Sequence, residues 1–189
     1  MRHTVLTLVA ALFTATAYSA PLPVFGIFPS GTVSGSPGTV IGWGYDITNN
    51  DPSNWMVLND SFVTGGLSTG TFGTYQDYIA SGFIVIDPSS TTGNVAFSQG
   101  STGTGEFDIH NFVPPMTITG GISIDYSVFS QDPNSPSFDP GSLVSSGTVS
   151  AVADAQVGGV PEPASIMLTC FGLLLLVVAG WRRSVTRRS

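Results

Sequence analysis

Met116-Thr117-Ile118-Thr119-Gly120-Gly121-Ile122-Ser123-Ile124-Asp125-Tyr126-Ser127-Val128 is the stretch that decides the fold class. Its even positions are apolar apart from Gly120, and its odd positions are all polar or glycine. Side chains of an extended strand alternate between faces, so the pattern predicts a strand with one buried and one wet face. Gly120-Gly121 in the middle predicts a bulge or bend. Upstream, Thr39 to Thr48 repeats the pattern, with Ile41, Trp43, Tyr45 and Ile47 on one face. Thr48-Asn49-Asn50-Asp51-Pro52-Ser53 follows as a turn, because Asn, Asp and Ser bond their own backbone. Trp55 to Val63 and Gly82 to Ile86 are apolar at both parities, which predicts central strands covered on both faces. Weaker strand signals cover Val24–Phe28, Val95–Ser98, Glu106–Val113 and Val144–Ala153.

Glycine and proline recur every few residues and would interrupt a helix, while Val, Ile, Thr, Phe and Tyr dominate between them. The fold class is therefore all-β, an antiparallel β-sandwich of about seven or eight strands. The expected organisation is a leader over residues 1–19 and the β-domain over 20–153. A linker over 154–163, an apolar helix over 164–181 and a basic tail over 182–189 complete it. Repeats are absent.

Charge narrows the partners. Residues 21–160 hold ten aspartates and one glutamate, Glu106, with no lysine or arginine. Such a surface repels nucleic acid and anionic lipid headgroups, so neither is an expected partner. The one cysteine, Cys170, falls in the apolar helix, so the β-domain has no disulfide framework and no thiol chemistry.

Catalytic constellations are scarce. His110, the one histidine between the hydrophobic ends, stands in the alternating stretch Asp108-Ile109-His110-Asn111-Phe112 and is expected to face water. A single histidine without cysteine cannot make a zinc site of the usual ligand set. No Gly-x-Ser-x-Gly elbow accompanies it, so a Ser-His-Asp triad has no local support. Gly100-Ser101-Thr102-Gly103-Thr104-Gly105 lacks the lysine of a phosphate loop and reads as a flexible loop. The expectation is a non-enzyme without cofactor or metal. Two weaker candidates stand beside it. Asn49-Asn50-Asp51 and the run Gln131 to Pro140 offer loop oxygens for structural calcium, though solvated turns explain them as well. Trp43, Tyr45 and Trp55 are candidate glycan contacts, with core packing the competing reading.

Both ends read as targeting signals. Met1-Arg2-His3, the apolar run Val5 to Ala17 and the small residues after it form a secretory signal peptide. Ala17 and Ser19 mark its cleavage region, and Sec machinery and signal peptidase are the implied partners. Ala164 to Trp181 has no charged residue and, as a helix of about 27 Å, is just long enough for a bilayer core. Arg182, Arg183, Arg187 and Arg188 follow at once and hold that end in the cytoplasm, leaving the β-domain outside.

Val160-Pro161-Glu162-Pro163-Ala164-Ser165, the apolar helix and the Arg cluster, in that order, resemble the PEP-CTERM sorting signal of exosortase substrates. The resemblance covers the leader and residues 160–189. It implies export, transient anchoring in the inner membrane, and processing near the motif by exosortase, a membrane cysteine protease-transpeptidase. It further implies release or attachment at the cell surface, among exopolysaccharide and biofilm matrix. Pro161, Glu162 and Pro163 would be the recognition residues: two prolines stiffen an extended segment, and Glu162 supplies one charge. More loosely, Gly42 to Asn50 looks like a segment of some exported domains of this class. The alternatives are a carbohydrate-binding module tied to exopolysaccharide, a secreted hydrolase, and a plain membrane-anchored protein without processing.

Overall fold

The computed structural model describes residues 21–158. Apart from two short 3-10 turns, Gly66–Ser68 and Pro140–Ser142, the regular structure of the described residues is strand. There are nine: β1 Val24–Phe28, β2 Thr32–Gly35, β3 Val40–Thr48, β4 Trp55–Gly65, β5 Gly73–Asp77, β6 Ile84–Ile86, β7 Gly105–Ile109, β8 Met116–Phe129 and β9 Leu143–Val157. They form a four-stranded sheet in the order β1-β3-β7-β5 and a five-stranded sheet in the order β2-β9-β8-β4-β6.

The alternation in β8 is realised in three dimensions. Ile118, Ile122, Ile124, Tyr126 and Val128 are buried, and they meet Ile41, Trp43, Tyr45 and Ile47 from β3 of the other sheet. Phe107 and Ile109 of β7, and Ala153, Ala155 and Val157 of β9, complete one end of the core. Each sheet thus covers the apolar face of the other, which is the driving force that holds the strands together. β8 runs between β9 and β4 along nearly its whole length, so its backbone is paired on both sides.

Several expectations shift. Nine strands replace seven or eight, because β2 and β5 are too short and too Gly/Thr-rich to announce themselves. The pairing is not wholly antiparallel: β2 runs parallel to the end of β9. Gly120-Gly121 makes no bulge, since both residues stay in register with β4 and β9. What Gly120 provides is clearance, as a Cβ there would sit 2.3 Å from the Thr64 oxygen and 3.0 Å from Leu67 Cγ. The register shifts fall instead between Leu58 and Asp60 of β4 and at Val128/Phe129 of β8. Gly82–Ile86 shrinks to the edge strand β6, and Val95–Ser98 contributes only isolated bridges through Val95 and Ser98. The linker starts later than residue 154. Asp154–Val157 belong to β9, where Ala155 and Val157 point into the core and β2 pairs with their backbone.

Among the described residues, no helix is long and apolar enough to cross a membrane. The predicted segment 164–181 lies outside them, as do the predicted leader and the residues of the predicted basic tail.

Candidate functional site

The predicted sorting motif Val160–Ser165, the cluster Arg182, Arg183, Arg187 and Arg188, and the predicted cleavage residues Ala17 and Ser19 lie outside the described residues. What the structure places is their point of departure. β9 ends at Val157, and the N–H of Gly158 donates to the Gly35 oxygen at 2.8 Å. The chain therefore leaves the domain at the β2–β9 edge, two residues before Val160.

The candidate glycan platform does not form. Trp43 is 0% and Tyr45 3% exposed, so neither ring can stack on a sugar. The indole N–H of Trp43 instead donates to the Gly31 oxygen at 3.3 Å. Trp55 is half-buried and stands opposite Phe129 in the other sheet, so the three rings share no face. An alternating strand next to a turn buries its large aromatics, because burying about 200 Å² of indole is worth about 5 kcal/mol.

The opposite face of β3 carries a feature that the sequence reading missed. Gly42 and Gly44 alternate with Trp43 and Tyr45, and both are covered from outside. A Cβ on Gly42 would meet the Phe97 ring at 2.2 Å, and one on Gly44 would meet the Phe28 ring at 2.7 Å. These rings flank a groove of about 470 Å³ lined by Phe28, Pro29, Val33, Val40, Gly42 and Phe97 among others. The contacts this lining can offer are ring faces, apolar side chains and the Ser34 hydroxyl. The signal was present as the pair of glycines facing away from Trp43 and Tyr45, which implies that something presses on the strand from outside.

The loop oxygens proposed for calcium serve the backbone. Asn49 is 1% exposed, and its Nδ2 donates toward the carbonyls of Asn54, Ile86 and Asp87 at 2.8, 3.3 and 3.1 Å. The Asp51 carboxylate accepts from the N–H groups of Ser53 and Asn54 and from Asn54 Nδ2. Burial pushes the pKa of Asp51 up, but those three donors outweigh it and hold the carboxyl below its ordinary value. In the second loop, Asp132 accepts from the Asn134 N–H and Asp139 caps the turn at Gly141.

Two polar clusters remain. Ser61, 4% exposed, sits among the Tyr75 hydroxyl at 2.8 Å, the Asp77 carboxylate at 2.5 Å and the Thr104 oxygen at 2.6 Å. Burial pushes the Tyr75 phenol up to about 12. No histidine joins this group: His110 is exposed, as expected, and lies against Thr74 and the Thr71 oxygen. The Ser61 hydroxyl, held between the Asp77 carboxylate, the Tyr75 hydroxyl and the Thr104 oxygen, ties β4 to β5 and to the start of β7. Asp60 lies opposite Asp125, and burial together with the charges of Asp125 and Asp77 raises its pKa. Among the described residues, no group of three or more His, Cys, Asp or Glu side chains is placed to hold a metal.

No protein-family model matches this chain, and no curated protein matches it either. Among solved structures it is similar to WR4, a member of the MSP family from C. elegans. The likeness spans 71% of this chain and 97% of that one, at 12% identity and a TM-score of 0.32. Similarity at that level carries no argument about function.

Proposed function

We propose that the protein is an exported, non-enzymatic β-sandwich of the cell surface or extracellular matrix, sorted and processed by exosortase through Val160–Ser165. The observation that carries this reading is the ordered set of motif, apolar helix and terminal Arg cluster, together with the leader at the other end. The geometry is compatible with it: the last core residue, Val157, stands three positions before the motif. The motif could thus be presented to a membrane enzyme without unfolding the domain. Localisation follows the signals, with transient anchoring in the inner membrane and then display outside. Intact-mass and terminal-peptide mass spectrometry on mature protein from the native host tests it. A C-terminus near Val160–Ser165 is the expected result, and a full-length chain retained in the membrane would overturn the sorting reading.

A second reading is favoured by one observation, the groove between Phe28 and Phe97. It moves the carbohydrate-binding alternative away from Trp43, Tyr45 and Trp55 to rings that are half-buried and reachable. Binding to host exopolysaccharide that Phe97→Ala abolishes, with an unchanged melting temperature, would support it. Retained binding in that variant would remove the groove from consideration.

A further inference from the structure

The longest strand among the described residues, β9, is paired unequally. On one side it pairs with β8 from Leu143 to Val157, whereas on the other β2 covers only Asp154–Val157. Asp154 and Gly158 donate their N–H groups to Gly31 and Gly35 at 2.7 and 2.8 Å. Even-numbered residues of this strand therefore turn their backbone groups away from β8. The register of β9 on β8 is regular from Ser145 to Val157, so the same parity holds back to Ser146. The N–H and C=O groups of Ser146, Thr148 and Ser150 form an open edge, and no described residue bonds to them.

The other edge strands among the described residues are short or interrupted, and the side of β4 that β6 leaves uncovered beyond Leu58 carries the charge of Asp60. β1 has five residues and lies between Pro23 and Pro29, while β2 has four. β5 ends on Asp77, and β6 has three residues and runs into Asp87-Pro88. The open segment Leu143–Ala153 contains neither a charge nor a proline. It also reads almost symmetrically about Thr148. Ser146 and Ser150 lie two positions either side, and the exposed Val144 and Val152 lie four. A segment of that kind matches an antiparallel copy of itself. Charge favours the same contact. Two copies of a domain with ten aspartates and no lysine or arginine repel over most of their surfaces. This edge is neutral, and the nearest carboxylate, Asp125 on β8, accepts a hydrogen bond from the Thr148 hydroxyl.

We propose that two copies of this chain pair β9 to β9, antiparallel, about a two-fold axis at Thr148, fusing their five-stranded sheets into one continuous sheet. Ser146 of each copy then faces Ser150 of the other, and Val144 faces Val152 on the outer surface. The pairing supplies about six backbone hydrogen bonds, and its short length makes a reversible dimer. This inference does not rest on the sorting reading.

Sedimentation velocity on the full chain in mild non-ionic detergent, over about 1–100 µM, is the first measurement. A monomer–dimer equilibrium is expected. Thr148→Pro removes the outward N–H together with the hydroxyl that donates to Asp125, and Val152→Lys places a charge beside the edge while leaving that bond in place. Each is expected to weaken association at least about tenfold, with unchanged circular dichroism. Should Thr148→Pro fail to fold, Val152→Lys and cross-linking carry the test. In a Cys170→Ser background, Thr148→Cys is expected to cross-link between copies with a short bis-maleimide, and Thr74→Cys on β5 is not. A monomer throughout the range would overturn the proposal. So would a dimer that both edge variants leave intact and that Thr148→Cys does not cross-link.

Discussion

The indole N–H of Trp43 donates to the backbone oxygen of Gly31 at 3.3 Å, tying the middle of β3 to the link between β1 and β2. That link belongs to the segment that crosses from the four-stranded to the five-stranded sheet. One side chain thus fills the core and fastens the crossover. Trp43→Phe is expected to cost about 1–2 kcal/mol through the lost hydrogen bond and the smaller ring, since the Gly31 oxygen keeps the Asp154 N–H, and Trp43→Ala about 3–5 kcal/mol through the cavity. Urea denaturation would measure both. Loss of any sugar binding in Trp43→Ala would accordingly report unfolding and not a missing contact.

Asn49 holds the turn after β3 against the end of β6, through its Nδ2 contacts with Asn54, Ile86 and Asp87. Its Oδ1 accepts from the Asp51 N–H at 3.0 Å. Asn49→Ala removes the shared side-chain donor from the Asn54, Ile86 and Asp87 carbonyls, of which Asp87 keeps the Ser90 N–H, and is expected to lower stability by about 2–3 kcal/mol. Asn49→Asp should be worse, because it sets a buried carboxylate against those carbonyl oxygens. Comparison of the two urea midpoints with the wild type tests the ranking.

Calcium should leave the melting temperature unchanged relative to chelator. Asp51, Asp132 and Asp139 already accept hydrogen bonds from their own turns, and removing them as acceptors would loosen those turns. A rise of several degrees with calcium would overturn this and restore the loop sites.

Tyr75 contributes to the alkaline limit, alongside Tyr45, Tyr78 and Tyr126, whose phenols are also pushed up. Its phenol titrates near 10.0 when unfolded and at about 12 in the folded protein. The folded state keeps a proton that the unfolded chain releases, so stability falls as pH rises between those values. Tyr75→Phe is expected to flatten that decline, at the cost of the hydrogen bond to Ser61 near neutrality. Urea midpoints across the alkaline range should show the two curves converging; parallel curves would place the titration elsewhere.

Much of the fold was legible because period two survives wherever one face is buried. The faces of β3 and β8 follow directly from their apolar positions, and β1 has the bounds its signal predicts. The polar Asn49 turn was legible too, although its burial was not. Edge strands were the weak point: β2 and β5 are held by neighbours' backbones more than by apolar side chains, so their sequences carry little signal. The candidate groove was hidden for a related reason. Gly42 and Gly44 show only that space is needed, and residues as distant as Phe28 and Phe97 are what fill it.

By itself the sequence determined the all-β class, the buried faces of its main strands and the absence of cationic side chains from the domain, because these are properties of local pattern and composition. The order of strands, the parallel pairing of β2 with β9, the open edge around Thr148 and the burial of Trp43 were decided only by the tertiary structure. Backbone hydrogen bonds between strands are chemically alike whatever the residues. Which strand takes which neighbour, and which edge is left without one, therefore depends on how the whole core closes.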